Sequence, residues 1–192
     1  MKVWMVRHGE SENNLKKLWT GWMDVPLTST GEEQAARVAA LMEGVNFDRV
    51  FSSDLMRAKR TAEIAVPGCR CEAMELLREV DLGTLAGKSI SSISNEERQA
   101  LACCEGYWKY GGESREKFNG RVKAAGKMLE SLTDCENVAV FAHGGFLRAF
   151  LREVLEFPVE VTGRILCKNC ATAIFEYTPE SGWVLYSWIN VT

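Results

Sequence analysis

The chain has two histidines, His8 and His143, and both stand in the same setting. Val3-Trp4-Met5-Val6 runs into Arg7-His8-Gly9, and Val138-Ala139-Val140-Phe141-Ala142 runs into His143-Gly144-Gly145. An apolar stretch of strand type, then His, then Gly, used twice, suggests that the two imidazoles share one site. Arg57 falls just past another predicted strand end, and Glu79 past a further short one. Two arginines make a fork-shaped, permanently charged trap for an anion. Gly144 and Gly145 open a predicted helix, whose free N–H groups and positive dipole end favour phosphate. A neutral imidazole is a competent nucleophile toward phosphorus, and arginines spread the charge of a phosphoryl group in transfer. A leaving alkoxide needs a proton, which a neighbouring carboxylic acid can give. The sequence contains no Walker loop, no acidic metal cluster and no serine–histidine–carboxylate set. Taken singly, His8 reads as a packed residue, Arg57 as a solvated helix residue and Glu79 as surface. Their coincidence at one predicted sheet edge is what points to chemistry.

The elements that would position them follow from hydrophobic periodicity. Lys2 to Arg7 reads as a central strand buried on both faces, with Arg7 to Asn14 as the loop at its carboxyl end, where open α/β sheets bind ligands. Ser29 and Glu32 form a capping box, with Thr30 and Glu33 as a second register. The helix they open carries Ala35, Val38, Ala39 and Met42 on one face and ends near Gly44. Asp48 to Phe51 reads as a strand, and Ser52, Ser53 and Asp54 as N-cap candidates for a helix bearing Leu55, Ala58, Ala62 and Ala65. Residues 70 to 76 suggest a short strand. The stretch 88–112 is irregular and reads as a lid-like excursion with a short charged helix near Glu96–Arg98 and no separate core. Ser114 is placed to cap a long helix with Phe118, Val122, Ala125, Leu129 and Leu132 inward. Val138 to Ala142 is a strand, and a helix with Leu147, Phe150, Leu151 and Val154 inward follows His143. Thr172–Tyr177 and Trp183–Ile189 flank a turn and read as an antiparallel hairpin. The sum is a single domain over residues 1–192. It is an α/β fold, a three-layer α/β/α sandwich whose mostly parallel mixed sheet has about six strands, with helices on both faces.

Composition limits the alternatives. The chain has 192 residues, 46% hydrophobic and 26% charged, with a formal net charge of −3, so neither nucleic acid nor an anionic membrane is an expected partner. No apolar run reaches membrane-spanning length and no basic-then-apolar leader is seen, which predicts a cytoplasmic location. Seven cysteines make a poor disulfide framework. Cys167-Lys168-Asn169-Cys170 is a lone C-x-x-C, open to a redox or zinc reading. Zinc would want two more ligands, and Cys69/Cys71 and Cys103/Cys104 are poorly spaced mates. Buried or incidental thiols are the default, so no metal and no cofactor is expected. A homodimer is compatible with the sequence.

Arg7-His8-Gly9-Glu10-Ser11 with Asn14 resembles the R-H-G-E-[ST]-x-x-N motif of the histidine phosphatase superfamily, the phosphoglycerate mutase-like group. The resemblance runs over nearly the whole chain. Gly21, Asp24, Pro26-Leu27-Thr28, Gly31 and Gln34-Ala35 match a second segment. Ser53, Leu55, Arg57-Ala58 and Thr61-Ala62 match a third, Leu77-Arg78-Glu79 with Gly83 the acid-bearing one, and Phe141-Ala142-His143-Gly144-Gly145 the second histidine. The resemblance implies that His8 accepts the phosphoryl group, forming a phosphohistidine. Arg7, Arg57 and His143 would bind that group, with hydrogen bonds from Asn14 and the Gly144 amide. Glu79 would be the proton donor and then the base for water, with Asp81 as the local alternative. Thr20 and Gly21 would sit at the substrate mouth, and no metal is needed. One departure bears on Glu79: where the family often has G-x-W-E-G, this chain has Gly83-Thr84-Leu85-Ala86-Gly87, without the aromatic and second carboxylate.

The family contains both hydrolases and mutases. Trp19-Thr20-Gly21-Trp22-Met23-Asp24 resembles the mutase form of its loop. Against a mutase, the middle segment is short and its arginines, Arg98 and Arg115, are isolated, where glycolytic mutases carry an adjacent pair. Tyr107, Trp108 and Tyr110 suggest a less charged leaving group, or else plug the core edge. The length and Gly111-Gly112-Glu113-Ser114 resemble small phosphatases, including those acting on α-ribazole phosphate. The expectation is therefore a metal-independent phosphomonoesterase of histidine acid phosphatase type, acting on a small phosphorylated metabolite. Phosphoglycerate mutase-type transfer is the alternative, and a non-catalytic phosphate-binding or regulatory domain the remote one.

Overall fold

A computed structural model of the protein describes residues 1–101, 106–158, 161 and 164–190. Cys103 and Cys104, weighed above as zinc mates, lie outside the described residues. One six-stranded sheet runs through the molecule. Its strands are β1 (Lys2–Arg7), β2 (Arg49–Ser53), β3 (Cys71–Met74), β4 (Asn137–Ala142), β5 (Thr172–Thr178) and β6 (Gly182–Ile189), in the order β3-β2-β4-β1-β5-β6. The β3–β2, β2–β4 and β4–β1 pairs are parallel, and β1–β5 and β5–β6 antiparallel. The α/β expectation of a mostly parallel sheet with a terminal hairpin holds.

The helices are α1 (Glu12–Leu15), α2 (Ser29–Leu41), α3 (Met56–Ala65), α4 (Asn95–Ala100), α5 (Arg115–Glu130) and α6 (Gly144–Leu155). Alternate strand residues feed opposite faces, as a pleated strand requires. Val3, Met5, Val138 and Val140 pack with Phe118, Val122 and Leu129 of α5 and Leu147 and Phe150 of α6. Val6, Ala139 and Phe141 pack with Ala35 and Val38 of α2 and Ala62 and Ala65 of α3. These are the two outer layers of the sandwich.

Several local expectations are corrected. Thr28, not Ser29, caps α2. Its hydroxyl accepts the Gly31 N–H at 3.0 Å and donates to Glu10 Oε1 at 2.8 Å, a tertiary partner that Ser29 does not have. Ser52 and Ser53 lie inside β2, and Leu55 occupies the N-cap of α3 without a side-chain bond. The Met56 N–H in that helix's first turn is met from another loop, by Asp24 Oδ1 at 2.7 Å. The loop after β1 contains a helical turn, α1, closed by a reciprocal capping box between Ser11 and Asn14. The excursion packs onto the segment before it: its Leu101 and Tyr107 are buried with Leu82 and Leu85, and Trp19, Val80, Ile93 and Tyr110 pack against them.

Candidate active site

The sheet's pairing brings the two histidines together. In the β1–β4 ladder Arg7 pairs with Ala142, so the next residues, His8 and His143, leave adjacent parallel strands side by side. Neighbouring strands lie about 4.8 Å apart, and the two imidazole centroids are 5.1 Å apart with ring planes at 62°. Both residues are buried. His8 Nδ1 lies 2.7 Å from the Gly9 carbonyl oxygen. A carbonyl can only accept, so Nδ1 carries the proton and Nε2 keeps its lone pair. Arg57 Nε donates to that Nε2 at 3.3 Å.

Arg57 is 1% exposed, far from the solvated helix residue it would be in isolation. Its other two nitrogens donate to the carbonyls of Met23, at 2.8 Å, and Gly21, at 2.9 Å. The guanidinium thereby ties α3 to the loop carrying Thr20 and Gly21. Burial, the dominant effect, lowers its pKa to about 10, which leaves it charged at neutral pH. Arg7 Nη1 donates to the Cys167 carbonyl at 2.6 Å, while its buried Nε has no partner among the described residues. Both ring nitrogens of His143 are likewise buried without a partner among them. Unpaired donors in a buried, cationic setting are expensive to keep and suit an anion.

Glu79 sits at the same place. Its carboxylate accepts from the Gly145 N–H at 2.9 Å and the Val80 N–H at 3.0 Å. The Gly145 amide is therefore taken by Glu79, a correction to the reading that both glycine amides are free. A Cβ at Gly145 would meet Glu79 Oε1 and push the carboxylate aside. Asp81, the alternative acid, accepts the N–H of Gly83 at 3.0 Å and does not line the cavity. Arg7, His8, Asn14, Thr20, Gly21, Arg57 and Glu79 all line one cavity of about 350 Å³. His143 and Gly144 stand behind them. Gly144 lies against Arg7, close enough that an added Cβ would touch its Nε at 3.2 Å. Asn14 Oδ1 accepts from Ser11 N and Asn169 Nδ2, which leaves its amide nitrogen as the group able to donate into the cavity. Among the described residues no group of three or more His, Cys, Asp or Glu is arranged to hold a metal ion.

Three supports of the site escaped the sequence reading. Arg121 of α5 donates to the carbonyls of Leu76, Arg78 and Glu79, at 3.1, 2.6 and 3.0 Å, and pairs with buried Glu113 at 2.7 Å. Trp22 Nε1 also donates to the Glu79 carbonyl, at 2.6 Å. These contacts fix the acid-bearing segment without the aromatic and carboxylate absent from 83–87. The C-x-x-C stretch is the third support. Asn169 Nδ2 and the Cys170 N–H both donate to the His8 carbonyl at 3.2 Å, and Cys167 supplies the acceptor for Arg7. Cys167 and Cys170 are buried free thiols, and burial lifts Cys170 to a pKa of about 12. In the excursion, Tyr107 is buried against the cavity while Trp108 is 63% exposed. Tyr110 donates its hydroxyl to Glu97 at 2.6 Å.

Burial, then the charges of Arg57 and Arg7, hold the His8 pKa well below 6.5. Burial, Arg57, His8 and Arg7 do the same to His143. Both rings are neutral at physiological pH, as a phosphorus nucleophile must be. Stability carries the trace of this. The unfolded chain protonates both histidines below about pH 6.5 while the folded chain does not, so stability is lost as pH falls through that value. The slope is up to about 1.4 kcal/mol per pH unit for each histidine. Urea unfolding between about pH 5 and 7 measures it. We expect His143→Phe to halve the slope, whereas a flat wild-type profile would contradict the buried neutral pair.

The model of the histidine phosphatase superfamily (branch 1) matches residues 3–191. The chain belongs to this superfamily. A relative from Salmonella paratyphi A, named as a probable phosphoglycerate mutase, GpmB, is 33% identical over 198 residues, covering 100% of this chain and 92% of the relative. A phosphoglycerate mutase structure from Thermus thermophilus matches with a TM-score of 0.74 at 30% identity, covering all of both chains. The α-ribazole phosphatase of Shigella flexneri shares the superfamily fold, with a TM-score of 0.83 at 24% identity over 97% of this chain and 96% of that one. Proteins named as phosphatases and as mutases thus both stand among this chain's likenesses. Among the described residues no helix is long and apolar enough to cross a membrane.

Proposed function

We propose that the protein is a metal-independent phosphomonoesterase that hydrolyses a small phosphorylated metabolite through a phosphohistidine on His8. The observation carrying this reading is the His8 ring. Its Nδ1 is engaged by the Gly9 carbonyl, and its lone-pair nitrogen lies beside Arg57 in a cavity that Arg7 and Glu79 also line. In the first step His8 Nε2 bonds to phosphorus as the ester P–O bond breaks. Arg7, Arg57 and the single ring N–H of neutral His143 stabilise the charge in transfer, with Asn14 and the Gly144 amide adding hydrogen bonds. Glu79 gives its proton to the leaving oxygen. In the second step Glu79 takes a proton from water, whose oxygen attacks phosphorus and frees His8. Thr20 and Gly21 stand at the mouth.

A second reading, transfer of the phosphoryl group to another hydroxyl as in a phosphoglycerate mutase, is favoured by the relatives of that name at 30% and 33% identity. Product analysis separates the two. With an aryl phosphate, or with 3-phosphoglycerate plus its bisphosphorylated form, and with chelator present, inorganic phosphate should be the main product. Isomer formation outrunning phosphate release would replace the hydrolase with the mutase. Activity abolished by chelator would overturn the mechanism.

A further inference from the structure

The two groups that perform the proposed chemistry are mounted differently. His8 leaves the end of β1 and is fixed by the sheet, whereas Glu79 stands in residues 78–82, which belong to neither helix nor strand. A reacting group misplaced by about 1 Å can cost about 10²-fold in rate, so this segment needs another mounting. Arg121 supplies one half of it. Besides its bonds to the carbonyls of Leu76, Arg78 and Glu79, its Nε and Nη2 donate to the two carboxylate oxygens of Glu113, at 3.1 and 2.7 Å. Glu113 passes the hold on. Its Oε2 accepts the Asp81 N–H at 2.9 Å, and its own N–H donates to the Asp81 carbonyl at 2.9 Å. The backbone is thus gripped on both sides of Glu79. A buried ion pair adds little net stability; what this one supplies is a fixed position.

Trp22 supplies the other half, and it reaches back to the phosphoryl pocket. Its Nε1 donates to the Glu79 carbonyl, and the guanidinium carbons of Arg78 and Arg121 lie 4.8 and 6.0 Å from its ring centroid, within cation–π range. The carbonyls on either side of it, those of Gly21 and Met23, are the two that accept from Arg57. One continuous path therefore joins nucleophile to acid: His8, Arg57, the 21–23 loop, Trp22 and Glu79. We propose that Trp22 and Arg121 are positioning residues for the acid–base step, holding Glu79 at a set reach from the phosphoryl group that His8 and Arg57 engage. The reach matters because, in an in-line displacement, the leaving oxygen departs on the side away from the nucleophile. Glu79 must meet it there, giving its proton to that oxygen as the ester P–O bond breaks. The inference rests on the phosphomonoesterase reading with Glu79 as donor.

Phenyl phosphate and dinitrophenyl phosphate test it on the full-length protein. They share a ring, but phenoxide needs a proton to leave and dinitrophenoxide needs little. Their kcat/KM covers the steps through departure of the alcohol, before water is used. Trp22→Phe keeps a ring beneath the guanidiniums and deletes the N–H. It should lower kcat/KM by about 10-fold or more on phenyl phosphate and by less than about 2-fold on dinitrophenyl phosphate. Arg121→Lys keeps a charge for Glu113 but cannot span three carbonyls, and should show the same split. In a Glu79→Gln background, Trp22→Phe should cost nothing further on phenyl phosphate, because a donor already lost cannot be misplaced. Equal losses on both substrates, no loss on phenyl phosphate, or a full further loss in the Glu79→Gln background would each overturn the proposal. Glu79→Gln itself losing equally on both substrates would instead defeat Glu79 as the donor. No turnover of either substrate by the wild type would defeat the phosphomonoesterase reading beneath it.

Discussion

His8→Ala should lose phosphoryl transfer by at least about 10⁴-fold while remaining folded, because removing a covalent nucleophile leaves only binding and electrostatic stabilisation. The substitution removes the one ring whose tautomer is fixed by its neighbours, with Nδ1 on the Gly9 carbonyl and Nε2 accepting a long bond from Arg57 Nε. It does not disturb the strand. The backbone N–H at position 8 still donates to the Ala142 carbonyl at 3.0 Å, and Gly9 still meets Thr61 Oγ1 at 3.0 Å. The loss should therefore appear in kcat, with the thermal midpoint shifted by only a few degrees. An alanine variant retaining a tenth of wild-type turnover would remove His8 from the chemistry.

Arg57→Ala is the second large effect, and it should strike activity and stability together. The guanidinium is buried and makes three contacts: with the His8 ring and with the carbonyls of Gly21 and Met23. Truncation leaves two carbonyls without their donor, at about 1–3 kcal/mol each, so urea unfolding should show a loss of about 2–5 kcal/mol. Turnover should fall by about 10³-fold, the scale of losing a charged donor aimed at a transferring group. Arg57→Lys should recover part of the charge and little of the stability, because an ammonium cannot span the carbonyls as a planar fork does. Unchanged stability in Arg57→Ala would mean that the Gly21–Met23 loop is held by other contacts.

Much of this was legible in the chain. The continuous apolar runs before His8 and His143 announced buried parallel strands, but that these two strands are neighbours, which pairs the histidines, is seen only in the fold. Arg57 and Glu79 were legible as chemistry because they too follow strand ends. What stayed hidden depends on partners distant in sequence. Nothing local favours Thr28 over Ser29 as a cap, since the choice is made by Glu10 across the fold. Asp24 serving the first turn of α3, Arg121 holding the carbonyls around Glu79, and Asn169 bridging His8 and Asn14 are all long-range contacts. The cluster of Leu82, Leu85, Leu101 and Tyr107 was not legible for the same reason, because its members come from segments without a shared periodicity. The C-x-x-C pattern misled in another way. Its cysteines drew attention to redox or zinc chemistry, while its backbone and Asn169 are what hold Arg7 and His8.

The central claim is that a phosphoryl group passes through His8. Rapid quenching of the protein with radiolabelled phosphomonoester, followed by peptide mapping, tests it most directly. The account predicts a transient label that is lost in acid, survives base, maps to the peptide containing His8 and is absent from His8→Ala. An acid-stable label, or one on another residue, would contradict it.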